Sequence, residues 1–533
     1  MALVLLVNRP ARRILCQEKN LDKNKKPMLV SRRIFEGRSL GLRICSGSGS
    51  AFLKKCPFRE KGGNFLTLFF KEKKMKRFWL VLLSLGLIVA FSTSAMAVDV
   101  KFSGEAYVGG MYVSKVNLKD AAATGQTDDG PSTAFYYQRL RLGANLIVAP
   151  GLSLITRADI MERILGGNRS VPGVAAPDSN GTRAENENIA FDMMYIQYVS
   201  PVGLLQAGYI PFGTWGTVFG NSGPKGVPGI SLYPKVGPVT FGLLIFKLSD
   251  KSYSAVNYSI TSPVDYSDSD SDLYIGLAKY AGKNIEAGLL LYYTRNATNR
   301  EAKNYVMDDY AAVPYFKATF GPVYLEGELA ASTGNARKYD DGVGTDVDLQ
   351  ALYGYLYGRV NLGPAYVGAT FAYFSGDDPG DPTESRMDPI FLGPEWSPAL
   401  IMWNKDRSYN FGTVNGYNSG TAGAGGYANN TGFGSSFQNA YFWQVQAGVK
   451  PIDKLDICAS VSKSDADQDP IAGWDSKDMG WEFDITATYK ITNNLSYMLG
   501  GAYLLTGDYF KGTNPNNEVR DDYLVINKLT LTF

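Results

Sequence analysis

Between residues 136 and 148 the chain alternates between two solvents. Leu140, Leu142, Ala144, Leu146 and Val148 fall on one face of an extended segment, while Tyr137, Arg139, Arg141 and Asn145 fall on the other. The split recurs in 152–163, where Leu152, Leu154, Ala158 and Ile160 oppose Ser153, Arg157, Asp159 and Arg163. In 323–331, Val323, Leu325, Leu329 and Ala331 oppose Tyr324, Glu326 and Glu328. In 481–490, Trp481, Phe483, Ile485, Ala487 and Tyr489 oppose Glu482, Asp484, Thr486, Thr488 and Lys490. A dry core cannot take the second face, because burying an unpaired charge is severely unfavourable. The first face suits hydrocarbon, and a sheet lying in hydrocarbon can leave no edge unpaired. The pattern therefore predicts an all-β fold: a transmembrane antiparallel β-barrel, lipid outside and water inside.

The connections carry a second rhythm. Short turns are expected at 149–151, 200–203, 236–238, 281–284, 321–322, 363–364, 451–454 and 492–494. Longer polar stretches separate them, at 117–131, 165–186, 212–228, 250–270, 297–308, 334–346, 376–436, 466–477 and 508–519. Strict alternation of short and long is the habit of bacterial barrels, with short periplasmic turns and long outer loops. Nine long and eight short connections imply eighteen strands. Sixteen is the fallback, because Ile230 to Lys235 makes a short strand containing Pro234. At that size a barrel interior holds water. Tyr107, Tyr112, Tyr209, Tyr292, Tyr293, Tyr489 and Tyr503 lie near strand ends and fit interfacial girdles, although aromatic residues favour any strand.

Charge separates the N-terminus from the rest. Residues 1–97 carry 20 Lys and Arg against 5 Asp and Glu, leaving 33 against 46 for residues 98–533. The basic excess is no evidence for nucleic-acid binding by the barrel. Within that segment, Lys76 and Arg77 precede an apolar run over 78–91 and a small-residue site ending at Ala97. This is the layout of a signal peptide over 75–97, cleaved after Ala97; the apolar run is too short to span as a helix. Residues 1–74 are then expected to be an upstream extension arising from start-codon assignment, with Met75 as the start.

The absence of His from all 533 residues excludes Ser-His-Asp and Cys-His catalysis, imidazole metal sites and His-ligated haem. Cys458 is alone in 98–533, so no internal disulfide or thiolate cluster is available there. Asp265, Asp268, Asp270 and Asp272 suggest a calcium loop. Counting from Asp268, however, Leu273 stands where such a loop needs Gly and Lys279 where it needs Glu. That run is expected to be a solvated acidic outer loop. No metal, cofactor or enzymatic activity is expected.

The last segment, from Tyr523 to Phe533, sets Tyr523, Val525, Leu529, Leu531 and Phe533 on one face and Lys528, Thr530 and Thr532 on the other. Asn527 is the one polar interruption. This ending resembles the terminal strand of Gram-negative outer-membrane β-barrel proteins, with Phe533 as the signal recognised by the barrel-assembly machinery. After the fifth strand comes Phe212, Thr214, Trp215, Thr217 and Phe219, with Lys225 the one charge in 212–228. Here the chain resembles the trimeric porin superfamily, in which the loop after the fifth strand folds into the lumen and narrows it. The resemblance implies that these six residues build the constriction. General porins place acidic residues there, so a less charged, aromatic eyelet is expected.

The expected function is a Gram-negative outer-membrane porin for passive diffusion of small hydrophilic solutes or ions. A homotrimer contacting lipid and lipopolysaccharide is expected. The alternative is a scaffold barrel sheathing a partner such as an electron-transfer protein. Candidate pore-lining groups are Arg139, Arg141, Arg157, Asp159, Arg163, Glu326 and Glu328. The arginines either form a positive ladder facing the carboxylates or pair locally to brace the wall, and both can hold at once.

Overall fold

In a computed structural model the described residues are 98–533 except 116, 122–129, 167–188, 222–224, 251–268, 341, 343, 387–395, 408–413, 418–431 and 434–437. The expected extension 1–74 and the expected signal peptide 75–97 lie outside them, as do most of the acidic loop and the Gly-rich stretch after 418.

Eighteen strands form the wall, numbered here in chain order. The first nine are β1 (Asp99–Val113), β2 (Thr133–Ala149), β3 (Leu152–Ile164), β4 (Ile189–Ser200), β5 (Gly203–Phe212), β6 (Lys225–Tyr233), β7 (Val239–Ser249), β8 (Ser271–Ala281) and β9 (Ile285–Asn296). The rest are β10 (Tyr305–Phe320), β11 (Val323–Tyr339), β12 (Val347–Leu362), β13 (Ala365–Phe374), β14 (Ala440–Ile452), β15 (Leu455–Asp465), β16 (Asp478–Lys490), β17 (Leu495–Thr506) and β18 (Asp522–Thr532). Each pairs antiparallel with its neighbours in sequence, and a two-residue strand at Lys235–Val236 extends the sheet beside β7. Even the longest connection joins adjacent strands, with Ala365 opposite Val449 and Phe374 opposite Ala440.

The sheet closes on itself. β1 pairs with β18 from Glu105 opposite Thr532 to Val113 opposite Leu524. At the end of that seam Gly104 N–H donates to the Phe533 carbonyl at 2.9 Å, and Phe533 N–H donates back to the Gly104 carbonyl at 3.0 Å. A Cβ at Gly104 would stand 2.6 Å from the Arg141 carbonyl oxygen and 2.8 Å from Phe533 Cζ, so the neighbouring strand and the terminal ring both need a glycine there. Closure leaves no backbone edge for lipid to meet.

Alternation along the strands matches the two-solvent pattern. Ile485 is 58% exposed on the outer face, while Glu482 on the inner face is fully covered. The same inner rows hold Arg139, Asp159, Glu326 and Glu328. All eight short turns fall between the strand pairs expected to need them, and the Gly321 and Gly363 turns use φ of +58° and +67°.

Three local expectations are corrected. The sixth strand begins at Lys225 and reaches Tyr233, so the loop before it is shorter than 212–228 and Lys225 lies in the wall. Pairing to Phe212 opposite Lys225 draws those residues into the ladder. Tyr107 and Tyr292 are buried on inward rows and belong to no girdle, whereas Tyr209, Tyr489 and Tyr503 are exposed on the outer face. Third, Met161 has φ +52° where the β2–β3 register slips between Gln138 and Leu140. The extra residue reverses the phase of β3, so Arg163 stands opposite Gln138 and Glu162 takes the place beside Arg139.

Candidate functional site: the lumen and its two inward segments

The first wall of the lumen is built by β1 to β4. Arg141 makes a two-pronged pair with Asp159, its Nε donating to Oδ1 at 2.7 Å and its Nη2 to Oδ2 at 2.8 Å. Arg157 reaches Asp192 on β4, with Nε donating at 3.0 Å to Oδ1. Arg139 approaches Glu105 at 3.4 Å and Glu162 at 3.6 Å, and its guanidinium lies 4.9 Å from the Tyr107 ring centre. Paired arginines are positional braces, since each charge is neutralised where it stands. Three arginines meet four carboxylates here, so this wall carries no excess of positive charge. Arg163 is buried and outside this row.

The opposite candidates, Glu326 and Glu328 on β11, point inward as expected but are covered. Glu326 accepts hydrogen bonds from the Tyr324 and Tyr355 hydroxyls at 2.7 and 2.8 Å. Glu328 lies beneath the segment that follows β5. Its Oε2 accepts from the Thr217 N–H at 2.6 Å and the Thr217 hydroxyl at 2.7 Å. Gly216 presses so closely, at φ +71°, that a Cβ there would be 2.3 Å from the same carboxylate.

That segment folds inward from the wall. Trp215 Nε1 donates to the Val313 carbonyl at 2.9 Å, and its ring meets Tyr315 edge-on at 4.9 Å. Phe219 is fully buried and stacks on Tyr355 with centroids 5.2 Å apart. Phe212 packs edge-on against Phe246 at 5.3 Å. Of the six residues expected to narrow the pore, Trp215, Thr217 and Phe219 are brought together over β10 to β12. Thr214 is exposed beside them, Phe212 ends β5, and Lys225 begins β6.

A second segment also turns inward, one that strand alternation does not announce. Residues 396–407, in the long connection between β13 and β14, enter the barrel and are held by polar side chains from four strands. The Glu482 carboxylate accepts three consecutive backbone N–H groups, Leu400 at 2.9 Å, Ile401 at 2.6 Å and Met402 at 2.6 Å. Gln444 Nε2 donates to the Pro398 carbonyl at 2.6 Å. Asp406 accepts from the Tyr137 hydroxyl at 2.8 Å and from Lys528 Nζ at 2.7 Å. Arg407, fully buried, lies 3.5 Å from Asp522 at the closing seam. The nonglycine residue Trp403 holds φ +58° while almost wholly covered, so packing overrides backbone preference at this point. Burial opposes ionisation of Asp406, but Lys528, Tyr137 and Lys405 outweigh it and hold its carboxyl below the ordinary carboxylate range.

The two segments touch, for Trp396 meets the Phe219 ring edge-on at 5.4 Å. Together they partition the interior. The sequence does hold a signal for the second one. Trp396, Ala399, Leu400, Ile401, Met402 and Trp403 form an apolar cluster in a stretch otherwise rich in Gly, Asn and Asp. Such a cluster in a loop demands a cover.

No family model matches the chain, and no curated protein matches it in sequence. Solved structures with a similar course include a double variant of OccD1 (OprD), at 12% identity and TM-score 0.45 over 81% of this chain and 96% of that one. The outer membrane protein opdK from Pseudomonas aeruginosa gives 12% identity and TM-score 0.43 over 81% and 99%. An anion-selective porin from Comamonas acidovorans gives 12% and 0.38 over 82% and 99%.

Proposed function

We propose that residues 98–533 form an outer-membrane channel for passive diffusion of small hydrophilic solutes or ions. The supporting observation is the inner face of an eighteen-strand closed sheet. It carries Arg141, Arg157, Asp159, Asp192 and Lys528, groups that hydrocarbon would exclude, while Leu243, Ile245, Phe483 and Ile485 face outward. A barrel of this strand number encloses more width than its own side chains fill. The two inward segments narrow that width, so transport is restricted to small solutes, and paired charges leave the passage weakly selective.

The channel inserts after removal of a signal peptide over 75–97, with Phe533 as its assembly signal, and works as a homotrimer in a membrane bearing lipopolysaccharide. A sheath around an electron-transfer partner is disfavoured by the lumen itself, because segments 213–221 and 396–407 occupy space a threaded protein would need. No group assigned above calls for catalysis.

Purified protein added to planar bilayers is expected to give discrete conductance steps. A folded barrel that inserts and stays silent would remove this function.

A further inference from the structure

One part of the inner wall is not polar at all. On β7, β8 and β9 the inward rows carry Leu244 and Phe246, Ile275 and Leu277, and Leu290. Facing water, such rows would be unfavourable. Phe212 at the end of β5 and Trp215 in the segment after it cover them, yet do not fill the space. A cavity of about 180 Å³ remains between cover and wall. An apolar protein cavity of about 150 Å³ stays dry and accepts benzene, so this one has room for a six-membered ring and one substituent.

The cavity has a polar end. Thr240 stands opposite Lys279 in the β7–β8 ladder, and Gly288 stands opposite Lys279 on the other side. Gly288 also admits Trp215, since a Cβ there would lie 2.6 Å from Trp215 Cη2. Trp215 thus roofs the cavity close to that polar end. The Lys279 ammonium is already matched, with Glu286 at 3.0 Å, and Glu286 also meets Lys317 at 3.7 Å. An anionic ligand would find its cation engaged and a carboxylate beside it. A neutral hydroxyl would find hydrogen-bonding partners in Thr240 and the Lys279–Glu286 pair. Thr214, exposed and lining the cavity, marks where it opens.

We propose that this cavity binds one uncharged monocyclic aromatic solute of the phenol or benzyl alcohol class. The ring lies between Trp215 and the Leu244–Ile275–Leu290 wall, and the hydroxyl lies at Thr240 and Lys279. The proposal rests on the channel function only for the route by which the solute arrives. Binding is a property of the wall and its cover.

The test is ¹⁹F NMR of the folded protein in detergent with 4-fluorophenol at about pH 6, well below the phenol range near 10. A saturable bound resonance of one site per chain is expected, absent from empty micelles. Leu244→Trp, which fills the cavity, and Trp215→Leu, which removes its roof, are each expected to weaken binding at least tenfold. Leu243→Ala on the outer face is expected to leave it unchanged. Heat-modified gel mobility verifies that each variant is folded; should Leu244→Trp not fold, Trp215→Leu decides. Undiminished binding in the folded variants, or tighter binding of 4-fluorobenzoate than of 4-fluorophenol, overturns the proposal. Absence of the resonance from protein that conducts in bilayers overturns the site and leaves the channel standing. A resonance from protein silent in bilayers does the reverse.

Discussion

The carboxylate of Glu328 takes both the backbone N–H and the hydroxyl of Thr217 on a single oxygen, at 2.6 and 2.7 Å. A side chain of the wall thereby fixes a segment that is not part of it. An intramolecular hydrogen bond contributes about 0.5–1.5 kcal/mol. Glu328→Gln is expected to loosen residues 213–221 by about 2 kcal/mol without opening the barrel. The check is single-channel recording, where the variant should show larger or noisier steps while gel mobility stays that of folded protein.

Glu482 does the same for the second segment, with three backbone donors. Glu482→Ala leaves those N–H groups unsatisfied and is expected to release residues 396–407 from the lumen. Conductance should rise, and limited proteolysis should cut near Met402 in the variant but not in the parent. Unchanged conductance and protection would show that the remaining anchors, at Pro398, Asp406 and Arg407 and in the packed rings, hold the segment without Glu482.

Acid should release the same segment by a separate route. The Asp406 carboxyl is held below the ordinary carboxylate range, with Lys528 as the chief favourable partner against burial. A group depressed on folding contributes stability that is present above its unfolded value of about 3.9. That contribution is lost as pH falls through the lower folded value. Docking of 396–407 is therefore expected to weaken below about pH 4 and to be steady above it. Asp406→Asn should flatten the response when conductance is followed against pH.

Ion selectivity should be weak in the parent and easily biased. Arg157 is matched by Asp192, so Asp192→Asn leaves a guanidinium on the inner wall without its principal counter-charge. The reversal potential in a salt gradient is expected to move toward anion preference. Arg157→Gln is expected to move it the other way. No movement in either variant would place this pair away from the ion path.

The closing seam makes a different demand. Gly104→Leu forces a side chain against the Arg141 carbonyl and the Phe533 ring and is expected to reduce the yield of folded barrel severely. Gly104→Ala adds a single methyl group and is expected to reduce the heat-modifiable band less, which would show that side-chain volume at this site is the cause.

The wall was legible because period-two alternation reports directly on two solvents. Leu140 and Arg141, or Ile485 and Glu482, need nothing beyond their own neighbours to be assigned a face. Eighteen strands and eight tight turns followed from the same logic. What the alternation could not reveal is which inward groups meet water. Glu326, Glu328 and Arg139 do point inward, yet tyrosines, a folded loop and facing carboxylates cover them. That cover comes from residues far away in sequence, and no local pattern announces it. The bulge at Met161 is hidden for a related reason, since one extra residue reverses every assignment after it and puts Arg163 out of phase with Arg139 and Arg141. The apolar rows of β7 to β9 were the least readable, because Leu244 and Phe246 on the inner face alternate with Leu243 and Ile245 on the outer. Strands apolar on both sides carry no contrast to read.

The edge-on contact of Phe219 with Trp396 makes the two obstructions in the lumen one body instead of two. Each ring is part of the other's packing surface, so neither segment can withdraw without stripping a partner from its neighbour. Substitutions at Glu328 and Glu482, though anchored on distant staves, should therefore fail to add, and the surplus in a double-mutant cycle would measure that shared contact in free energy. Current fluctuations through such a barrel would come as a single correlated event, the signature of a gate with two hinges and one leaf.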